Sequence, residues 1–170
     1  MYRYEISEIT RKGVSLMSVH FFYNFKEELV KKLNEQFKDK IELYKKSENE
    51  KLQLEKAEEI IMEYFKELEI ELKDVVNASG GEIGFEYDTE MLAKFFIKEN
   101  YLKFTKKERT IEMKIGKYDK EEDIVESTIV CYIVPGIKKC KLKKVGKIHD
   151  GSSFDENTIN YYLKSVFDEE

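Results

Sequence analysis

Tryptophan is absent from this chain of 170 residues, and proline occurs once, at Pro135. There are two cysteines, two histidines and eight glycines. Each shortage excludes something. Two cysteines without a secretion signal read as reduced thiols in a cytosolic compartment. A hydrolytic metal centre usually takes three protein ligands, and His20 and His149 stand far apart without ligand-like spacing, so no metal is expected. Neither G-x-x-x-x-G-K-[ST] nor G-x-G-x-x-G occurs, so no backbone cradle for a nucleotide phosphate is encoded, and no cofactor is expected. No apolar run approaches the ~20 residues that cross a bilayer. The opening "MYRYEISEITRKG" lacks the apolar centre of a signal peptide. The expectation is a cytoplasmic protein with no membrane partner.

What is abundant is charge. Lys and Arg number 30 and Asp and Glu 35, giving a net charge of −5, with 38% of residues charged and 41% hydrophobic. That balance argues against nucleic acid as a partner. Eleven Tyr and eleven Phe are too many aromatics for a disordered chain. A length of 170 residues suits a single domain over 1–170, with the surplus charge coating solvated helix faces.

The pattern along the chain predicts an α+β fold. Tyr2, Tyr4 and Ile6 alternate with polar residues, the period of an N-terminal strand; "VSLMSVHFFYNF" follows as a buried connector or second strand. From Phe25 to Val76 there is neither Gly nor Pro. Phe25, Leu29, Leu33, Phe37, Ile41 and Tyr44 draw one helical stripe. Leu54, Ala57, Ile61, Tyr64, Leu68, Leu72 and Val75 draw a second, close to a coiled-coil seam. Between them "KKSENEK", residues 45–51, holds no apolar residue, and its Ser47 and Asn49 favour turns. The stripes are therefore expected to fold as a long antiparallel helical hairpin over about 25–76. "ASGG", residues 78–81, ends the helical part.

The sheet-rich part spans about 82–170. Ile83, Phe85 and Tyr87 alternate as a strand, and Asp88 or Thr89 is expected to cap a short helix carrying Met91, Leu92, Phe95 and Phe96 to a stop at Asn100. Strands follow at Leu102–Phe104, Ile111–Ile115, 127–134 and 137–148. Short connections make the meander antiparallel, and a C-terminal helix with Ile159, Tyr162, Leu163, Val166 and Phe167 on one face closes it.

Three candidate sites emerge. The first is the helical hairpin, where Leu54, Ile61, Tyr64, Phe65, Leu68 and Leu72 offer more apolar width than a narrow seam needs. It suits a second protein or a second copy, so homo-oligomers belong to this reading. The role is that of a non-enzymatic binding protein, such as an accessory or mobile-element regulator. The second is an anion or nucleic-acid surface on the lysine-rich strand 138–147. Lys139, Lys141, Lys143 and Lys147 lie there without an acid, near Ser152 and Ser153 at a helix start. Lysines guarding a sheet edge explain the same residues. The third is a hydrolase built on His149 with Asp150 and Asp155. "DGSSF" does not match a nucleophile elbow, and Ser153 with Glu156, or Asp155 with Phe154 and Ile159, explains that loop as a helix cap. No catalytic residue is assigned. Cys131 and Cys140 sit symmetrically about Pro135–Gly136 and would face each other in a simple hairpin register, as buried thiols.

Overall fold

The computed structural model describes residues 25–119, 124–144 and 151–168. The expected strand at Tyr2–Ile6, the 14–25 segment up to residue 24, and the loop holding Lys147 and His149 lie outside the described residues. The chain divides into two compact units, Met1–Ser47 and Glu48–Glu170.

Residues 25–36 are helical, and α1 follows over Lys38–Glu71, 34 residues. The Phe37 N–H donates to the Leu33 carbonyl and the Ile41 N–H to that of Phe37, so helical bonding does not lapse between them. The turn expected at 45–51 is not there: the helix passes straight through "KKSENEK". Ser and Asn inside a helix cost only a few tenths of a kcal/mol each relative to ordinary residues. With no Gly or Pro nearby, nothing in the segment outweighs one backbone bond per residue. The hairpin expectation is corrected to one long helix. A short α2 (Lys73–Ala78) continues the course, with Leu72 N–H bonded to Leu68 and Val76 N–H to Leu72. The helical part then ends at "ASGG" as expected, where Gly80 and Gly81 take φ of 64° and 93°, a region open to glycine at no steric cost.

Six strands follow: β1 (Ile83–Glu86), β2 (Met91–Ile97), β3 (Asn100–Lys106), β4 (Ile111–Asp119), β5 (Ile124–Val134) and β6 (Lys141–Lys144). They pair antiparallel in sequence order as one meander. The helix expected after Asp88 is instead β2. Asp88 Oδ1 accepts the Glu90 and Met91 N–H groups at 2.7 and 2.6 Å, an Asx turn that leads into a strand as readily as into a helix. A bulge between Met91 and Ala93 then breaks the period of two, burying Met91, Leu92 and Ala93 in succession. Asn100 does not stop a helix. It opens β3 after a two-residue turn in which Lys98 takes φ 52°.

One face of the sheet forms the core of the Glu48–Glu170 unit. Phe95, Leu102, Phe104, Met113, Ile111, Cys131, Ile133 and Leu142 lie against Leu54, Ala57, Ile61 and Phe65 of α1. The flanks of α1 are tied to the β3–β4 end by charge: Glu58 to Lys106 at 2.8 Å and Glu50 to Arg109 at 3.1 Å. The C-terminal helix α3 (Glu156–Phe167) brings Ile159 and Tyr162 into the same cluster. Its cap is Asp155, whose Oδ1 accepts the Thr158 N–H at 3.2 Å. Phe154 and Ile159, both buried, form the hydrophobic staple.

Gln53 was passed over in the sequence because it stands beside Leu54 in a polar stretch. It is 5% exposed and grips the Pro135–Gly136 turn with both ends of its amide. Nε2 donates to the Gly136 carbonyl at 3.1 Å, and Oε1 accepts the Gly136 N–H at 2.9 Å. Gln53→Ala leaves the half-buried N–H and carbonyl of Gly136 without their side-chain partner, so it is expected to cost about 2 kcal/mol. Urea unfolding checks this; a shift below about 0.5 kcal/mol would mean that solvent reaches the turn.

Candidate functional site

The apolar residues named on the hairpin are consumed by packing. Ile61 and Phe65 are fully buried and Leu54 nearly so, while Leu68 and Leu72 lie against the same core. The Tyr64 hydroxyl donates to Asn160 Oδ1 on α3; burial, then the carboxylates of Glu156 and Glu71, push its pKa up. All of these side chains lie in or against the core of the Glu48–Glu170 unit, with Tyr64, Leu68 and Leu72 half-buried. The width beyond a narrow seam is what a helix needs to cover a sheet, which is flatter than another helix.

The first stripe stands differently. In the Met1–Ser47 unit, Phe25, Leu29, Leu33 and Phe37 are 56%, 42%, 43% and 40% exposed, and Leu43 and Tyr44 more so. Among the described residues no other element covers them. Of their charged neighbours, Lys31 and Lys38 lie on the far side of the helix, while Lys32, seven residues after Phe25, flanks the stripe.

The lysine candidates divide. Lys141 and Lys143 are exposed on β6, on one face, with Lys143 directly opposite Tyr132 of β5. Lys139 lies in the bend before β6, which is shorter than the strand expected over 137–148. Ser152 and Ser153 lie along β6, ahead of α3, whose cap is Asp155. The Leu142 N–H bonds the Ser152 carbonyl, the Phe154 N–H bonds the Cys140 carbonyl, and Ser153 bridges Lys141. These residues seal the β6 edge, while Asp155 already places a carboxylate at the α3 N-terminus.

The register shows a wider surface that sequence reading missed. On the sheet face away from the core, Glu86, Lys94, Lys103 and Lys114 stand in one cross-strand row. Next to it run Gly84, Phe96, Tyr101 and Gly116. Lys94 Nζ lies 5.5 and 5.4 Å from the Phe96 and Tyr101 ring centres. Glu86 pairs with Lys94 at 3.1 Å and Glu112 with Lys114 at 2.9 Å, which neutralises two of these lysines. The alternation of Lys103 and Lys114 was visible in the sequence; Lys94 was hidden by the helical reading of β2.

The cysteines do not face each other. Cys131 lies opposite Lys144, and Ile133 opposite Leu142, a register four residues longer than symmetry about Pro135–Gly136 requires. Pro135 to Cys140 thus form a loop, consistent with the poor fit of L-Pro-Gly to a tight hairpin. Both thiols are buried, and no disulfide joins them. The Cys140 Sγ donates to the Gln53 carbonyl at 3.3 Å, and burial pushes its pKa up to about 11. Since the thiolate is the reactive species, native protein at pH 8 is expected to resist iodoacetamide and to take two labels only in denaturant. Rapid labelling of the native chain would contradict this packing.

Among the described residues no group of three or more His, Cys, Asp or Glu is arranged to hold a metal ion, and no helix is long and apolar enough to cross a membrane. No protein-family model, curated protein or solved structure matches this chain.

Proposed function

We propose that this protein works by binding another protein through its long helix and performs no reaction of its own. The observation that supports this reading is the contrast along the helix. Its apolar face is spent on the core over residues 54–72, whereas Phe25, Leu29, Leu33 and Phe37 remain exposed on a regular stripe. Amphipathic helices dock on a partner's groove or helix through anchors at i, i+3, i+4 and i+7. The contact residues move from the 54–72 set to the 25–44 stripe, and an accessory or regulatory role in the cytoplasm fits such a protein.

The test is capture of partners by the tagged full chain from its native cells, with and without nuclease, beside Leu33→Asp. A protein recovered in fixed ratio, indifferent to nuclease and released by Leu33→Asp, is the expected result. Equal recovery by the variant would overturn the reading.

A second reading is favoured by one observation, the lysines and aromatics of the outer sheet face. Lys141 and Lys143, the latter opposite Tyr132, with Lys103 two strands from Tyr132 on the same face, suit a phosphate backbone with a stacked base. Recovery of nucleic acid alone in the same capture, with affinity falling steeply with salt and lost in Lys141→Glu/Lys143→Glu, would promote it.

A further inference from the structure

Residues 28–45 carry a repeat of seven that the stripe alone does not reveal. The apolar positions Val30, Phe37 and Tyr44 recur at seven, and so do the acids Glu28, Glu35 and Glu42 and the lysines Lys31, Lys38 and Lys45. Written as a heptad, Val30, Phe37 and Tyr44 take position a, with Leu33 at d. Each Glu falls at f and each of these lysines at b, away from the seam. Glu and Lys three apart on the outer side support their own helix, so those charges need no partner. A strict period of seven in a straight helix drifts by about 20° per heptad unless the helix supercoils around another with the same period.

We propose that a second copy of the same helix covers this seam, paired antiparallel over residues 26–44, with Phe25 at c left outside the contact; the inference rests on the protein-binding reading above. A second copy brings the same repeat and so stays in register along the whole segment. Two lysines at d decide the orientation. In a parallel pair Lys26 faces Lys26 and Lys40 faces Lys40, two like-charge contacts inside the seam. In an antiparallel pair centred between Leu33 and Phe37, a packs against d. Lys40 then meets Val30, Lys26 meets the Tyr44 ring, and Leu33 meets Phe37. Lysine stems cover apolar surface while their ammonium groups reach water, and Lys40 already lies along the stripe, its Nζ 5.5 Å from the Phe37 ring centre. Flanking positions also agree: Asn34 comes beside Asn34, Gln36 beside Gln36 and Leu29 beside Leu43, with no like charges in contact. Three heptads are at the short end of stable pairing, so association at micromolar concentration is expected.

The experiment is sedimentation equilibrium of the full-length chain, with Leu33→Asp and a cysteine exchange. The expected result is a monomer–dimer equilibrium that Leu33→Asp weakens at least 100-fold without changing the thermal midpoint, because Leu33 is no part of the Glu48–Glu170 core. Leu33→Cys and Phe37→Cys chains, mixed and oxidised with oxidised glutathione, should join mainly as the mixed disulfide. Predominant Leu33–Leu33 and Phe37–Phe37 links would overturn the orientation. A wild-type chain that stays monomeric throughout would overturn self-pairing. The protein-binding reading falls separately, if that chain also captures no protein that Leu33→Asp releases. A dimer untouched by Leu33→Asp would place the contact elsewhere and overturn the proposal.

Discussion

Replacing Phe65 with alanine should remove about 3–5 kcal/mol of stability, a third or more of what a domain of this size typically holds. Phe65 is fully buried, and it sits where three parts of the core meet. Its ring stands edge-on to Phe104 at 5.7 Å, to Phe85 at 6.5 Å and to Tyr64 at 5.6 Å. The truncation forfeits the transfer free energy of the ring, the edge-to-face contacts and the packing around the cavity left behind. Relaxation is restricted because Phe104 is itself fully buried and held in β3 between two paired strands. A fall in thermal midpoint of more than about 10 °C should follow. Ile70 is the control on the same helix: it is 74% exposed, so Ile70→Ala should stay within about 0.5 kcal/mol. Similar losses for the two would mean that α1 does not pack on the sheet through Phe65.

The same contrast explains how much could be read before the structure. Period and glycine placement were legible. The strands at Ile83, Leu102, Ile111 and 127–134, the end of the helical part at "ASGG", and the last helix with its Phe154–Ile159 staple are all present. What failed was local evidence read without tertiary context. Ser47 and Asn49 suggested a turn, but their weak preference did not interrupt a helix without Gly or Pro. In "MLAKFFI" the bulge at Leu92 put apolar residues at a helical spacing within a strand. Symmetry about Pro135–Gly136 could not reveal the longer loop, because the Gln53 amide that grips it comes from a segment 83 residues away. The candidate sites followed the same division. Apolar width on residues 54–72 was correctly seen but belongs to the sheet, while the outer sheet row needed the register of three hairpins to bring Lys94, Lys103 and Lys114 together.

That register also sets up the second large effect, at a glycine. Gly84, Phe96, Tyr101 and Gly116 stand opposite one another across β1 to β4 on the outer face. Each aromatic ring lies over the glycine of the neighbouring strand, a cross-strand pairing that covers the bare backbone. The two glycines are not equivalent. A Cβ at Gly116 would come within 2.1 Å of the Glu126 carbonyl oxygen and 2.5 Å of the Tyr101 hydroxyl. The carbonyl belongs to β5, hydrogen-bonded into the ladder, and Tyr101 is 4% exposed, so neither can give way without moving a strand. Gly116→Ala is therefore expected at the upper end of the overpacking range, about 3 kcal/mol. At Gly84 the added carbon would meet only the far edge of the Phe96 ring, at 2.6 and 2.9 Å. Phe96 is half-buried and can turn outward. There the gain of about 0.5 kcal/mol from restricting the unfolded chain offsets part of the clash, and Gly84→Ala should cost less than about 1 kcal/mol. Guanidinium unfolding of the two variants side by side gives the comparison. If Gly84→Ala proved the more costly, the close approach of β4 to β5 at Gly116, and with it the register of the outer face, would be wrong.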